Sequence, residues 1–199
     1  MRVFNKIACS FLAIVMIMGL TACGSKTFEH QKMTGFCKRA NLEEISDFDE
    51  YYKTYRKLSA GSRSDNGAYF TGTGDDAQNT YDYVLNLYEG LPSHNVEEAT
   101  AFIISNDDGM YAGFVFTLED SVEAGELFAE YTTAYFDNGN NGKEKGYVYF
   151  VESDELKNGR TNLSAAYLKN NTILILRGVS KDTKFANDLC KTFGVRTPE

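Results

Sequence analysis

Residues 100–116 read Thr100-Ala-Phe-Ile-Ile-Ser105-Asn-Asp-Asp-Gly109-Met-Tyr111-Ala-Gly-Phe-Val-Phe116. Two apolar runs, 100–105 and 111–116, are rich in β-branched and aromatic residues, which favour extended strands. The intervening Asn-Asp-Asp-Gly stretch is turn-forming and places glycine last, as a hairpin requires. The sequence therefore predicts an antiparallel pair of strands joined by a tight turn.

A second hairpin is predicted nearer the C-terminus. Lys169-Asn170-Asn171 separates strand 164–168 from strand 173–177, and a further strand covers 146–151. Connections this short cannot carry the crossover that joins parallel strands. They therefore disfavour a doubly wound α/β sheet, which is the alternative fold.

Four segments share one plan, in which an extended apolar stretch meets a polar capping residue and an amphipathic helix follows. The first runs from Thr34 to Ala40, with Asn41 and Glu44 in the form of a capping box before a helix over 42–58. The remaining helices follow caps at residues 73–76, 117 and 180. We expect an α+β fold, a two-layer sandwich whose antiparallel or mixed sheet carries about four helices.

The N-terminus has the pattern of an export signal. Arg2 and Lys6 precede an apolar run of 14 residues from Ile7 to Leu20. A helix of that length rises only about 21 Å, short of the roughly 30 Å hydrocarbon core of a bilayer. Export with cleavage is therefore favoured over a membrane-spanning helix.

The apolar run ends in Leu20-Thr21-Ala22-Cys23, which resembles the lipobox of bacterial lipoproteins. The resemblance implies that diacylglycerol is attached to the Cys23 thiol and that the chain is cut before this residue. It divides the chain into a signal peptide (1–22), a lipidated tether (23–32) and a single α+β domain (33–199). The expected location is the extracytoplasmic face of the cell membrane; the alternative is an ordinary secretory peptide.

The composition is acidic, with 28 Asp and Glu against 20 Lys and Arg. Cleavage before Cys23 removes Arg2 and Lys6 but no acid, which leaves 18 basic residues and a net charge of −10. Such a body is repelled by phosphate backbones and anionic headgroups. Nucleic acid is therefore not an expected partner, and the lipid would hold the domain at the membrane.

Groups that could carry chemistry are few. His30 falls in the predicted tether and His94 in the loop 91–95, while Cys37 is assigned to the first strand and Cys190 to the last helix. The two cysteines are candidates for a disulfide, or alternatively two buried thiols. The loop 137–144 resembles a calcium loop only in part, so the sequence predicts no metal and no cofactor.

These observations favour a non-catalytic module of the cell envelope that binds a protein or peptide partner, with no enzyme activity. Tyr51, Tyr69, Tyr83 and Tyr111 are candidates to line a ligand groove or a contact surface. A small-ligand-binding lipoprotein associated with transport is one alternative. An envelope hydrolase working through a carboxylate pair is another.

Overall fold

The structure is a computed structural model that describes residues 27–61, 67–86 and 90–198. The predicted signal peptide and Cys23 lie outside these residues. In chain order the elements are α1 (His30–Arg39), β1 (Glu43–Glu44), α2 (Phe48–Ser59), β2 (Ala68–Thr73), α3 (Asp75–Asn79) with a π-helical continuation (Thr80–Leu85), β3 (Val96–Ser105), β4 (Gly109–Leu118), α4 (Ser121–Tyr135), β5 (Asn140–Glu144), β6 (Tyr147–Glu155), β7 (Thr161–Lys169), β8 (Thr172–Ser180) and α5 (Lys184–Phe193).

The strands of the described residues form one mixed sheet of eight, in the order β1-β2-β3-β4-β8-β7-β6-β5. The short β1 pairs in parallel with β2, and every other described pair is antiparallel. The predicted hairpin of β3 and β4 is present, with Ser105 opposite Met110. The Asn106 side-chain oxygen accepts from the backbone N–H groups of Asp108 and Gly109 and closes the turn. The α+β class is confirmed, and the doubly wound alternative is excluded.

Helices cover both faces of the sheet, so the expected two-layer arrangement is wrong. One apolar cluster joins α2, α3 and α4 to residues such as Ile103 and Phe114. The other joins α1 and α5 to Phe102 and Val115, which point to the opposite face because strand side chains alternate. Residues 99–103 of β3, four of which are apolar, are all buried. Because successive side chains of a strand point to opposite faces, both faces of the sheet need cover here. The described residues hold five helices, not about four.

The largest error of the sequence prediction lies at the N-terminus of the domain. Residues 34–40 were expected to be extended, but residues 34–39 belong to α1, which buries Met33, Phe36 and Cys37, and Ala40 is the C-cap of this helix. Asn41 follows the end of that helix with φ of 56°, instead of starting a new one. Asparagine suits either end of a helix, because it tolerates the left-handed conformation that follows a helix and also caps helix N-termini. The actual cap of α2 is Asp47, whose side chain accepts from the Glu50 N–H.

Two other helices begin three residues later than predicted because the preceding strands run longer. Asp120 caps α4 by accepting from the N–H groups of Val122 and Glu123, and Thr183 precedes α5. The stretch 140–144, which was expected to be a flexible loop, forms the edge strand β5.

Candidate functional site

A groove of about 600 Å³ lies between α1 and α5, at the end of the sheet where the β3–β4 hairpin turns. Both helices cover the same face of the sheet, and the groove runs along α5 from Lys184 to Thr192. Tyr111, one of the tyrosines proposed from the sequence to line a groove, does so. The lining residues are Phe36, Arg39, Ala40, Ile104, Asn106, Asp108, Tyr111, Ser180, Asp182, Lys184, Phe185, Asp188, Lys191 and Thr192.

The floor of the groove is aromatic. The Phe185 ring stacks on Tyr111 with centroids 5.2 Å apart, and Phe36 meets it edge-on at 5.0 Å. The Tyr111 hydroxyl donates to the Asp182 carbonyl at 2.8 Å, and burial raises the pKa of this phenol. Phe185 and Ile104 are half-buried. They therefore present apolar surface that a ligand can cover.

The rim of the groove carries equal numbers of positive and negative charges. It carries three basic residues (Arg39, Lys184, Lys191) and three acidic ones (Asp108, Asp182, Asp188), and all six are exposed. The Arg39 guanidinium donates to the Thr192 hydroxyl at 3.3 Å. The Asp182 carboxylate accepts from the Lys184 N–H at the start of α5 at 2.7 Å. The rim therefore sums to zero charge on a strongly acidic body.

His94 lies in the predicted loop, but its side chain is buried and held by α4, on the other face of the sheet from the groove. Its Nε2 lies 2.7 Å from a Glu130 carboxylate oxygen, and its Nδ1 lies 3.9 Å from Glu123. The ring also meets Tyr81 edge-on at 6.0 Å. This residue therefore fastens the loop to α4 and takes no part in the groove.

His30 belongs to the folded domain and not to a free tether. It occupies the first position of α1, is 8% exposed and sits over the sheet. Its Nδ1 lies 2.9 Å from the Thr100 hydroxyl, and its Nε2 lies 2.9 Å from the Thr117 hydroxyl. Burial lowers the pKa of His30 from 6.5 to about 4. The imidazole is therefore neutral at pH 7, and each ring nitrogen has a hydroxyl partner.

Cys37 and Cys190 are buried free thiols on α1 and α5, both in the apolar layer beneath these helices. Cys37 was assigned to a strand from the sequence and lies instead on a helix. Burial raises the pKa of Cys37 to about 12 and that of Cys190 to about 11. The Cys190 sulfur lies 3.4 Å from the Tyr167 hydroxyl. A disulfide between the two remains an expectation for oxidising conditions.

Of the other tyrosines singled out from the sequence, Tyr51 and Tyr69 are completely buried, and Tyr83 is half-exposed. Tyr83 adjoins Phe48 and Tyr52 on the α2 side of the molecule, with ring centroids 6.4 and 6.2 Å away. Only Tyr111 among the four therefore contributes to the groove.

Within residues 27–61, 67–86 and 90–198, no group of three or more His, Cys, Asp or Glu side chains is placed to hold a metal ion. In the loop that partly resembles a calcium site, the N–H groups of Asp137 and Asn138 donate to the Glu152 carboxylate. No helix in these ranges combines the length and apolar character needed to cross a bilayer.

Comparison with known proteins identifies no family. No family model matches the chain, and no curated protein matches it. Among solved structures, the chain is similar to the extracellular domain of PknH from Mycobacterium tuberculosis. The TM-score is 0.41 at 10% sequence identity, over 75% of this chain and 90% of that one.

Proposed function

We propose that this chain is a lipid-anchored extracytoplasmic protein whose α1–α5 groove binds a peptide segment of a protein partner in the cell envelope, without catalysis. The observation that carries the proposal is the groove itself, which combines a half-buried apolar floor with a charged rim. Its volume of about 600 Å³ falls within the roughly 300–1,000 Å³ that is typical of ligand sites.

A peptide segment is the occupant that fits this surface. Apolar contact at the centre and polar groups at the rim are the usual anatomy of a protein-binding surface. Phe185 and Ile104 supply the apolar contact, and the six rim charges surround it. A partner side chain seated on Phe185 would bury apolar surface, while the flanking residues pair with the rim.

The proposal of a non-catalytic role rests on how the reactive groups are used. The ring nitrogens of His30 face two threonine hydroxyls, and His94 is held between carboxylates on the other face of the sheet. The three carboxylates of the groove are exposed on the rim. A hydrolase that works through a carboxylate pair needs one acid enclosed in an apolar environment, and none of these three is enclosed.

The proposed anchor keeps the domain close to the membrane. The Phe28 N–H donates to the Thr172 hydroxyl at 2.8 Å, and the Phe28 ring is buried against Phe193. From Cys23 to Phe28 an extended chain reaches at most about 18 Å. A lipid on Cys23 would therefore keep the domain next to the bilayer, where envelope partners are concentrated.

Site-specific photo-crosslinking in intact cells tests the proposal. A benzoylphenylalanine would replace Asp188 or Lys191 on the groove rim, and in the matched control it would replace Glu126, exposed on α4 across the sheet. We expect the same partner and the same partner segment to be crosslinked from both rim positions and not from Glu126. Adducts that do not differ between the rim and Glu126, or no adduct from the rim, would overturn the proposal.

A further inference from the structure

We infer that the segment bound in the α1–α5 groove is zwitterionic: an apolar side chain flanked by an acidic residue on one side and a basic residue on the other. This inference rests on the proposed function and specifies its ligand class. It is carried by three features of the groove, namely its fixed aromatic seat, its charge balance and the arrangement of its charges along α5.

The apolar seat, which is the Phe185 ring with the three aromatic rings around it, is already in place before a ligand binds. The half-buried Phe185 ring contacts three other aromatic rings, with centroids 5.0 Å away for Phe36, 5.2 Å for Tyr111 and 5.6 Å for Phe102. A ring held on several sides loses little conformational entropy when a ligand covers it. The seat therefore selects a partner side chain with apolar surface, such as leucine or phenylalanine.

The rim charges are unevenly distributed along α5. The Arg39 guanidinium donates to Thr192, and together with Lys191 it gives the C-terminal half of α5 two positive charges against the negative charge of Asp188. At the other end, the Ser180 hydroxyl donates to the backbone carbonyl of Asp108 and accepts from the backbone N–H of Asp182, so these two acidic residues lie close together, against the single positive charge of Lys184. A carboxylate of the ligand is therefore attracted to the C-terminal end of α5, and a cation to its N-terminal end.

The helix also gives the spacing. Residues 184 to 191 of α5 rise about 10 Å, which is the length of about three residues of extended peptide. An acidic and a basic ligand residue about three positions apart, with the apolar residue between them, would match both ends. Lys184 and Asp188 complete the balance of the rim, so that neither polycations nor polyanions are favoured there.

Selection from a random dodecapeptide library on the full-length lipoprotein in detergent tests this ligand class. We expect enriched peptides to carry an apolar residue between charges of opposite sign. Their affinity should fall at least tenfold on the double variant Arg39→Glu/Lys191→Glu. The control Lys53→Glu/Lys57→Glu makes the same charge change on exposed residues of α2, across the sheet, and should alter the affinity less than twofold.

The outcomes separate the two proposals. Asp188→Trp places a bulky side chain on the exposed rim without touching the core and should block the groove. If the selected peptides bind Asp188→Trp as well as the unmodified protein, the groove is not their site and the proposed function fails. If Asp188→Trp blocks binding but the peptides are uniformly basic or uncharged, or the Arg39/Lys191 reversal has no effect, the zwitterionic class fails alone.

Discussion

The Nδ1 atom of His30 lies 2.9 Å from the hydroxyl of Thr100, which ties the first turn of α1 to the third strand of the chain. The same hydroxyl lies 3.1 Å from that of Thr71 on the neighbouring strand. The Glu98 carboxylate approaches the other ring nitrogen at 3.8 Å. The N-terminal helix is therefore fixed to the sheet by a polar network as well as by apolar packing.

This network predicts that the protein loses stability in mild acid. The pKa of His30 is about 4 in the fold and about 6.5 in the unfolded chain, so the unfolded chain binds more protons between these values. The free energy of unfolding contributed by neutral His30 is fully present above pH 6.5 and is lost as the pH falls toward 4. The total loss is about 3 kcal/mol. Urea unfolding at pH 7.5 and 4.5 measures the loss, and His30→Gln should show a smaller one. Equal losses in both proteins would contradict the assignment.

A second prediction concerns the close packing of β3 against β4. A Cβ at position 113 would overlap the Phe102 ring on the neighbouring strand, so we expect Gly113→Ala to destabilise the fold by about 1–3 kcal/mol. Gly35 on α1 is the matched control, because a Cβ there meets its nearest neighbour, an Arg39 side-chain nitrogen, at 3.6 Å. Gly35→Ala should stabilise by about 0.5–1 kcal/mol. Chemical denaturation of both variants gives the comparison.

A third prediction concerns the cysteines of the domain. With a pKa of about 12 for Cys37 and about 11 for Cys190, almost no thiolate exists at pH 8, and both sulfurs are buried. We expect the native protein to resist iodoacetamide, whereas Lys157→Cys adds an exposed thiol that reacts at once. Labelling both domain thiols after denaturation without reductant would show that no disulfide joins them. Labelling neither would show that the bridge forms during export.

A fourth prediction concerns Cys23. Because the lipobox resemblance assigns the lipid to this thiol, Cys23→Ala should abolish palmitate labelling and leave the signal peptide uncut by the lipoprotein peptidase. Metabolic labelling and the mobility of the precursor measure both effects. Cys9→Ala, inside the apolar run, is the control and should label normally. Continued palmitate labelling of Cys23→Ala would remove the anchor from the proposed function.

The parts of the fold that the sequence predicted well depend on short-range signals. The β3–β4 hairpin follows from two apolar runs and an Asn-Asp-Asp-Gly turn, and all of its determinants lie within 20 residues. The α1 helix was missed although Met33, Phe36, Cys37 and Ala40 recur at helical spacing. Thr34 and Gly35 weaken the helical propensity there, and Asn41 fits either end of a helix.

The groove could not be predicted because it depends on long-range packing. Phe36 and Phe185 are far apart in the sequence and meet only because α1 and α5 cover the same face of the sheet. A sequence pattern that spans three or four residues carries no information about a contact between two distant helices. Only Tyr111 was singled out in advance, and the charges of Arg39 and Asp182 had the ordinary appearance of a solvated surface.

The burial of Phe28 also determines how strongly the groove needs to bind. If a lipid holds Cys23 in the bilayer, as proposed, the domain explores only a shell a few tens of ångströms deep above the membrane. For a partner held at that same membrane, a short connection of this kind gives an effective concentration that reaches the millimolar range. A groove with a dissociation constant near one millimolar, too weak for two freely diffusing proteins, would then be half-occupied and would exchange its partner rapidly.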